Sequence, residues 1–406
     1  MRYSVGVDAA KGKSTICVIS ENGDVVISPS DICHDRENFR LLKQALKDVI
    51  RNKKDVKVVM EATGIYHWPI FRFFEEEGYT VSIINPLKMK LFARDNDFRG
   101  VKTDKIDSKV IALYGDKKWT ELRPFHHSED ERREKLKRLA RAYASYQKPK
   151  VALQQLLDLE LEKSMPGIKK ILENDEKLFD FCEYFLHFDN IAKLSEEKFL
   201  EKFDKWTKKK NHRFYRSTPT KIYELAKAAI PTIPSDDTAA LCLKSAISSL
   251  RTINEGLNNI LARMHELSSS LPEYEIALQM PGTGYTLAPL IIAEIGDIRY
   301  YRNKKSLVCA CGIDVPPYES GKFRATRRVI TKKGNKYLRR HLYLVTNSIW
   351  TSKPKNDTAI LDFMARKKEE HKLDKQVKVA GMRKYLHIYY ARVKEKYKEL
   401  GIWDKR

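Results

Sequence analysis

Residues 3–20, YSVGVDAAKGKSTICVIS, contain two apolar runs separated by a short polar segment, a pattern that is typical of two β-strands. A third run, DVVIS, follows Glu21-Asn22-Gly23-Asp24, and Asn-Gly between strand-like runs predicts a β-hairpin. Asp8 closes the first run. Because Asp and Glu are depleted in strands, a carboxylate at a strand tip indicates a functional edge of the predicted sheet.

The rest of the first 120 residues predicts a mixed sheet with helices packed on it. Helical patterns at 38–50 and 67–77 alternate with strand-like runs, one of which ends at Glu61. A basic stretch at 88–100 then leads to another helix. Three strands, helix, strand, helix, strand and helix form an α/β domain, and we expect it to be RNase H-like.

Four acidic residues are candidate metal ligands: Asp8 and Glu61 at strand tips, and Asp104 with Asp107 on one helix face. Mg²⁺ or Mn²⁺ takes oxygen ligands and stabilises the attacking and leaving oxygens of phosphodiester cleavage. For Asp104 and Asp107 there is a simpler explanation. Acids in a first helical turn, here after a Thr103 cap, gain roughly 0.3–1 kcal/mol from the helix dipole without any metal.

Composition indicates a polyanionic partner. The chain has 406 residues, 77 Lys and Arg against 54 Asp and Glu, and a net charge of +23. This length allows two or three domains, and the charge favours nucleic acid over a membrane surface. The sequence has no apolar run long enough to span a membrane, and we expect no signal peptide. The six scattered cysteines lack C-x-x-C spacing, so we expect reduced thiols in a cytoplasmic protein.

Two long helices are predicted in the middle of the chain. One covers 128–163 and should be kinked or split by Pro149; the other, near 240–267, is its expected antiparallel partner in a helical hairpin or coiled coil. An ordinary helical bundle is the alternative. Between them lies an insert at about 166–235, in which 205–216 mixes cations and aromatic rings. That mixture suits single-stranded or folded RNA, or a solvated loop with a few anchoring rings.

The last part of the chain contains two further motifs. Gly282 and Gly284 lie in a Pro-Gly-x-Gly turn that predicts a helix-hairpin-helix element next to a phosphate. Between Gly321 and Arg340 there are nine Lys or Arg and no acid, as expected for a surface that contacts a phosphate backbone. The candidate nucleic-acid ligands are Gly282, Gly284, Lys322, Arg324, Arg327, Arg328, Lys332, Lys333, Arg339 and Arg340.

Ser320 precedes this basic segment and is a candidate nucleophile, because the surrounding positive charge would stabilise a phosphoryl-transfer transition state. A serine before glycine is also a common turn residue. Tyr318 is a rival nucleophile on the same argument.

Together, the four acids, MPGTGYTLAPLIIAEIGDI and YESGKFRATRRVITKKGNKYLRR resemble the transposases of the insertion-sequence 110/116/902 family, the DEDD transposases. The resemblance covers the first ~115 residues and about 275–350. It implies a RuvC-like nuclease domain at 1–122, a helical coiled-coil region with its insert at 123–274, and a mainly α-helical transposase domain at 275–406.

The resemblance also implies a mechanism and partners. The acids Asp8, Glu61, Asp104 and Asp107 would bind divalent metal, and Ser320 would be the nucleophile. The two catalytic domains would meet from different protomers of a homo-oligomer, a dimer or a tetramer. A structured guide RNA, called a bridge RNA, would pair with double-stranded donor and target DNA, so that base pairing reads the sequence. Such a protein would act at the nucleoid of a prokaryotic cell.

Three alternatives remain open from the sequence. A junction-resolving endonuclease would use the same acids with water as nucleophile and would not need Ser320. An actin-like ATPase would account for VGVDAAKGKSTICVI, although no further glycine-rich nucleotide-binding turn follows before residue 120. A basic DNA- or RNA-binding protein without catalysis is the third.

Overall fold

The computed structural model describes residues 1–62, 64–95, 103–125, 131–317, 319–320, 323–324 and 328–404, without the side chains of 319–320 and 323–324. The chain divides into two compact units, Met1–Glu129 and Asp130–Arg406, each of which is described by itself. The division into three domains stays a prediction.

The described part of the first unit contains a five-stranded mixed sheet with the order β3-β2-β1-β4-β5. β1 pairs antiparallel with β2 and parallel with β4, and β5 extends the parallel side. This confirms the predicted α/β class and is consistent with an RNase H-like fold. The elements are β1 (Tyr3–Ala10), β2 (Lys13–Ser20), β3 (Val25–Cys33), α1 (Arg36–Val49), a 3-10 turn (Lys53–Asp55), β4 (Val56–Glu61), α2 (Trp68–Glu76), β5 (Thr80–Ile84), α3 (Pro86–Asp95) and α4 (Asp104–Lys117).

Helix α3 was not predicted. The sequence shows only a basic stretch after Pro86, with little apolar periodicity, and only Met89 of this helix is buried. The N–H group at the first position of a helix has no acceptor within the helix, so proline, which lacks that N–H, loses no hydrogen bond there. Pro86 can therefore both end β5 and begin α3.

The two faces of the sheet are covered by different helices. Val5 and Val7 of β1 belong to a core that includes Leu46 of α1 and Phe71 of α2. The opposite face, which carries Ser4, Gly6 and Asp8 by strand alternation, packs against α4.

Helix α4 approaches β1 so closely that glycine is required at two positions. A Cβ atom on Gly6 would lie 2.2 Å from the carbonyl oxygen of Ser108 and 2.3 Å from the backbone nitrogen of Ala112. A Cβ atom on Gly115 would lie 2.2 Å from Ser4 Oγ. The helix backbone is therefore held at a fixed height above the strand.

Gly6→Ala should destabilise the first unit by roughly 3 kcal/mol, because the new methyl group meets helix backbone that cannot move aside without lifting α4. The matched control is Gly256→Ala in a helix of the second unit, where no atom lies within 4 Å of the new Cβ. That change should be neutral or stabilise by up to about 1 kcal/mol. Thermal unfolding of both variants checks this, and equal midpoints would contradict the close packing.

The described part of the second unit is almost entirely helical. Its elements are α5 (Glu131–Ser164), a 3-10 turn (Ile168–Lys170), α6 (Asp175–Phe185), α7 (Phe188–Ala192), α8 (Glu196–Lys210), α9 (Thr218–Ala228), α10 (Asp237–Ser268), α11 (Tyr274–Gln279), α12 (Gly284–Ile295), a 3-10 turn (Ile298–Tyr300), α13 (Lys304–Cys311), β6 (Glu319–Ser320), β7 (Phe323–Arg324), α14 (Lys336–Ser352), α15 (Ala359–Glu369) and α16 (Asp374–Glu399).

The long helices α5 and α10 form the predicted antiparallel pair within one chain. Near the start of α5, Arg132 donates to Ser270 Oγ just beyond the end of α10, at 3.0 Å. The expectation that Pro149 splits α5 was wrong, since the helix continues through it. Proline removes one helical hydrogen bond, but α5 packs in a core with residues of α10 on both sides of Pro149, through Leu136 and through Leu157.

Two separate hydrophobic cores flank this helical pair. The larger core joins Leu136 of α5 and Met264 of α10 to α11–α16. The other joins the distal ends, including Leu157 and Leu243, to the insert helices α6–α9. The insert is thus a folded helical subdomain with its own core. No helix in the described parts of the chain combines the length and hydrophobicity that crossing a membrane requires.

Candidate active site

Asp8 and Glu61 are neighbours at the carboxyl ends of two parallel strands. Val7 of β1 is paired with Met60 of β4, so the next residue on each strand is Asp8 or Glu61. Adjacent strands lie about 4.8 Å apart and share one pleat, which directs both carboxylates to the same face. Both residues are half-buried.

The first turn of α4 lies beside this pair. The helix runs in the opposite direction to β1, with Gly6 opposite the middle of the helix. Asp8 is two residues beyond Gly6 on β1, a distance of about 6.6 Å along the strand, which roughly four residues of helix also cover. Asp8 therefore lies beside the start of α4. Thr103 Oγ1 caps that start by accepting from the Ile106 N–H, as predicted. Asp104 and Asp107 occupy this capped turn.

A fifth acid, Asp31, lies in the same row and was missed in the sequence. Thr15 is opposite Asp8 on one side and opposite Asp31 on the other, and its hydroxyl donates to Asp31 at 2.6 Å. Lys13 Nζ lies 2.7 Å from Asp31 and 3.5 Å from Asp104. The hydrogen bond to Asp31 raises the pKa of Lys13, and the same bond lowers the pKa of Asp31.

This arrangement fits a divalent cation in two respects: the side chains are carboxylates, and the strand register places those of Asp8 and Glu61 next to each other. Carboxylate oxygens are the ligands that Mg²⁺ and Mn²⁺ prefer, and a row of acids favours a bound cation. Among the described residues, however, no three His, Cys, Asp or Glu side chains lie close enough to hold an ion. Lys13 also neutralises part of the charge of Asp104. The four-acid metal site therefore stays a prediction.

Ser320 lies in a small hairpin of the second unit. β6 pairs antiparallel with β7, with Ser320 opposite Phe323 and Glu319 opposite Arg324. The backbone thus places Ser320 in a strand rather than a helix, while the side chains of Ser320 and Arg324 are not described. Lys322, Arg327 and the rival nucleophile Tyr318 lie outside the described residues.

The base of the segment that carries this hairpin is held by Asp314 and Thr331. Thr331 Oγ1 donates to Asp314 Oδ1 at 2.6 Å, and the Thr331 N–H donates to the Asp314 carbonyl at 3.0 Å. The Lys332 N–H donates to the Gly312 carbonyl at 3.0 Å. Sixteen residues containing Ser320 are therefore tied together at their two ends.

Asp314→Ala should loosen this base. Loss of the hydrogen bond costs about 1 kcal/mol, which raises the locally open population about fivefold. Amide hydrogen exchange at Thr331 and Lys332 should quicken by that factor. Thr358→Val is the matched control, since it removes a similar 2.7 Å bond to Asp362 in α15. Unchanged exchange in Asp314→Ala would contradict the role of this contact.

The predicted nucleic-acid ligands of the basic segment differ in their surroundings. Arg328, Lys332, Lys333 and Arg340 are exposed, and no described acid forms an ion pair with them. Arg339 is half-buried and donates to the Cys311 carbonyl at 2.8 Å, so it also holds the end of α13. Four of the predicted ligands that follow the Ser320 hairpin are thus exposed cations.

Gly282 and Gly284 of the Pro-Gly-x-Gly turn are under different structural constraints. Gly282 has φ +72°, and a Cβ atom there would lie 2.6 Å from the Val345 carbonyl oxygen of α14. Packing against α14 therefore accounts for Gly282 without a phosphate. Gly284 has φ +57° and faces open space at the start of α12. Nucleic-acid contact at this turn stays a prediction.

A buried polar group lies where the basic segment enters α14. Glu294 is buried, and its Oε2 accepts from Arg141 at 2.9 Å and from Asn335 Nδ2 at 2.6 Å. Asn335 Oδ1 in turn accepts from the first N–H groups of α14. Burial, with the nearby charges of Arg340 and Arg141, lowers the pKa of His341 to about 4. The contacts of Glu294 with Arg141 and Asn335 therefore fix the end of the segment at the start of α14.

Comparison with known proteins identifies the family. Residues 5–166 match the DEDD transposase profile of the insertion-sequence 110 type. Residues 274–359 match the profile of the transposase IS116/IS110/IS902 family. The chain belongs to this family of insertion-sequence transposases, which confirms the resemblance seen in the sequence.

Individual relatives agree with the assignment. The chain is 30% identical over 118 residues to a pilin gene-inverting protein of Moraxella bovis. This aligned stretch covers 28% of the chain and only 34% of that protein. It is 20% identical over 401 residues to an uncharacterized 44.8 kDa protein of insertion element IS116 from Streptomyces clavuligerus, covering 97% and 95% of the two chains. It is 22% identical over 337 residues to the transposase of IS1111A from Coxiella burnetii, covering 82% and 74%.

Proposed function

We propose that this chain is a DNA recombinase of an insertion sequence, which cuts and rejoins DNA strands through a covalent serine intermediate. The observation that carries the proposal is the row of acids at one edge of the first unit's sheet, where Asp8 and Glu61 are neighbours beside the acidic first turn of α4. The family of the chain supplies the reaction class.

In the proposed reaction, the Ser320 hydroxyl oxygen attacks a backbone phosphorus atom of DNA. A serine–phosphate ester bond forms, the bond from phosphorus to one sugar oxygen breaks, and that sugar oxygen leaves as a hydroxyl by taking up one proton for the one that the serine loses. A hydroxyl of a second strand then attacks the ester and releases the serine. Each step exchanges one phosphate ester for another, so no energy-rich cofactor is needed.

The acids and cations have separate roles in this proposal. Asp8, Glu61, Asp104 and Asp107 would hold Mg²⁺ or Mn²⁺, which polarises a phosphate and offsets its charge. The cations of the basic segment bind the DNA backbone and stabilise charge that develops on the attacked phosphate. Four of the predicted ligands, Arg328, Lys332, Lys333 and Arg340, are exposed and available for this contact.

The proposal includes three partners: double-stranded DNA of the element and target, a structured guide RNA, and further copies of the chain. A net charge of +23 supports binding to both nucleic acids. Helix α5 exposes Tyr146, Leu156 and Leu159, with 44%, 44% and 53% of their surface accessible. Exposed apolar side chains on a long helix support association with another protomer.

The function is tested by purifying the full chain from cells that carry the element with its natural flanks. The purified protein is incubated with element DNA and a target plasmid, and new junctions are sequenced. We expect junctions that need Mg²⁺ or Mn²⁺ and disappear with EDTA, together with one discrete co-purified RNA. Cut DNA without junctions would indicate an endonuclease instead, and the absence of a discrete RNA would remove the guide from the proposal.

A further inference from the structure

The segment 211–217 of the insert, between α8 and α9, is fixed to the insert core by alternate residues. His212 Nε2 lies 2.8 Å from Asp180 Oδ2 on α6. Phe214 packs on Phe203 and Trp206, with ring centroids 5.3 and 5.8 Å apart. The segment therefore has a defined shape, although it is neither helix nor strand.

This anchoring corrects one interpretation of the sequence. The rings of Trp206 and Phe214 were candidates for stacking on RNA bases, but Trp206 is only 2% exposed and Phe214 is packed against the same core. They are therefore core residues. The remaining ring, Tyr215, is 86% exposed, the highest exposure among the large aromatic residues that the structure describes.

The residues around Tyr215 are cationic. Between 205 and 216 there are six Lys or Arg and no acid. Lys208 pairs with Asp204 and Lys210 with Asp180. The other four, Lys205, Lys209, Arg213 and Arg216, are exposed, and no described acid forms an ion pair with them.

Helix α8 alone does not explain this charge. Lysines in its last turn are favourable beside the negative end of the helix dipole, which accounts for Lys208 to Lys210. Arg213 and Arg216 lie beyond the end of the helix, on both sides of Tyr215, and the core anchors turn them to solvent. An exposed ring between two exposed guanidinium groups has no evident role in stabilising the fold.

We propose that the Tyr215 surface, formed by Lys205, Lys209, Arg213, Tyr215 and Arg216, binds a single-stranded nucleic-acid segment. One unpaired base stacks on the Tyr215 ring, and the cations contact the phosphates on either side of it. Stacking needs a ring with a free face, and phosphate binding needs cations without protein partners; the surface provides both. This role is separate from strand cleavage and does not depend on the proposed function.

The test measures binding of the full chain to fluorescein-labelled single-stranded oligonucleotides, one RNA and one DNA of the same sequence, by anisotropy at several salt concentrations. Tyr215→Ala should weaken binding about tenfold, while Tyr215→Phe, which keeps the ring, should stay within about twofold of the native chain. Comparing the affinities of the RNA and DNA oligonucleotides shows which of the two nucleic acids the surface binds more tightly.

Charge is tested separately. Arg213→Ala/Arg216→Ala should weaken binding and reduce the slope of log affinity against log salt by about 1.4, or about 0.7 for each lost phosphate contact. Lys193→Ala/Lys227→Ala is the matched control, since it removes the same charge near the far end of α9. That control should leave the slope unchanged.

A cross-linking measurement separates this surface from nucleic-acid binding elsewhere on the chain. Oligonucleotides that contain 5-iodouracil should cross-link to the peptide that carries Tyr215. The proposal is overturned if that peptide is absent from the cross-linked products, or if Tyr215→Ala binds both oligonucleotides as tightly as the native chain. Equal losses in Tyr215→Ala and Tyr215→Phe would also overturn it, because a hydroxyl contact would then replace stacking.

Discussion

Ser320→Ala should abolish strand exchange and the covalent protein–DNA adduct while leaving DNA and RNA affinity within about twofold of the native chain. The loss should be at least about a thousandfold, because the change removes the proposed nucleophile without changing the charge of the basic segment. Junction sequencing measures exchange, and denaturing gel electrophoresis of labelled DNA measures the adduct.

Two controls distinguish Ser320 from its neighbours. Ser306→Ala makes the same chemical change in α13 and should keep native activity. Tyr318→Phe removes the rival hydroxyl and should also keep it. Full recombination by Ser320→Ala would exclude the serine mechanism, and DNA cleavage without an adduct would indicate water as the nucleophile of a junction-resolving enzyme.

Asp8→Asn should lower the rate of DNA cleavage at least about a thousandfold and weaken Mn²⁺ binding. The amide keeps the shape of the carboxylate but removes the negative charge at the centre of the acid row, next to Glu61. Because a divalent cation is held there chiefly by charge, the loss of one carboxylate should reduce its occupancy strongly. Calorimetric titration with Mn²⁺ and the junction assay measure the two effects.

Asp24→Asn is the matched control for this change. Asp24 is exposed at the β2–β3 turn of the same sheet, away from the acid row. The control should bind Mn²⁺ and recombine DNA as the native chain does. If Asp8→Asn also behaves as the native chain, the row is a structural feature and the acids have no part in catalysis.

The sheet could be predicted because its signals are local. The Asn22-Gly23 turn, the alternating runs and the strand that ends at Glu61 each depend on a few neighbouring residues, and they give the observed order of the five strands. The antiparallel pairing of α5 and α10 follows from two apolar stripes of similar length. Of the kink or split expected at Pro149, the split was wrong, because the packing of α5 against α10 is not visible in the local sequence.

Asp31 could not be predicted for a different reason. Beside the turn that joins β2 and β3, Ile19 pairs with Val25. Counting outward from that pair places Pro29, not Asp31, opposite Thr15. Two register shifts between β2 and β3 move Asp31 into that place. Such irregularities depend on packing of the whole sheet, so the sequence alone does not reveal which acid joins the row.

Some features of the candidate active site could likewise be predicted from local sequence, and others could not. Asp8 and Glu61 could be found because each ends a strand-like run, and the register brings them together. The contact of Lys13 with Asp104 joins residues about ninety positions apart and gives no sequence signal. Ser320 was a candidate from its basic surroundings, and the family motif strengthened that assignment, since a serine before a glycine carries little information by itself.

Crystals of the full chain soaked in Mn²⁺ provide the most direct test of the metal site. We predict an anomalous scattering peak within about 2.5 Å of carboxylate oxygens from Asp8 and Glu61, with Asp104 or Asp107 completing the coordination. The account would be contradicted if Mn²⁺ at a saturating concentration gave no peak there while Asp8 and Glu61 were well ordered.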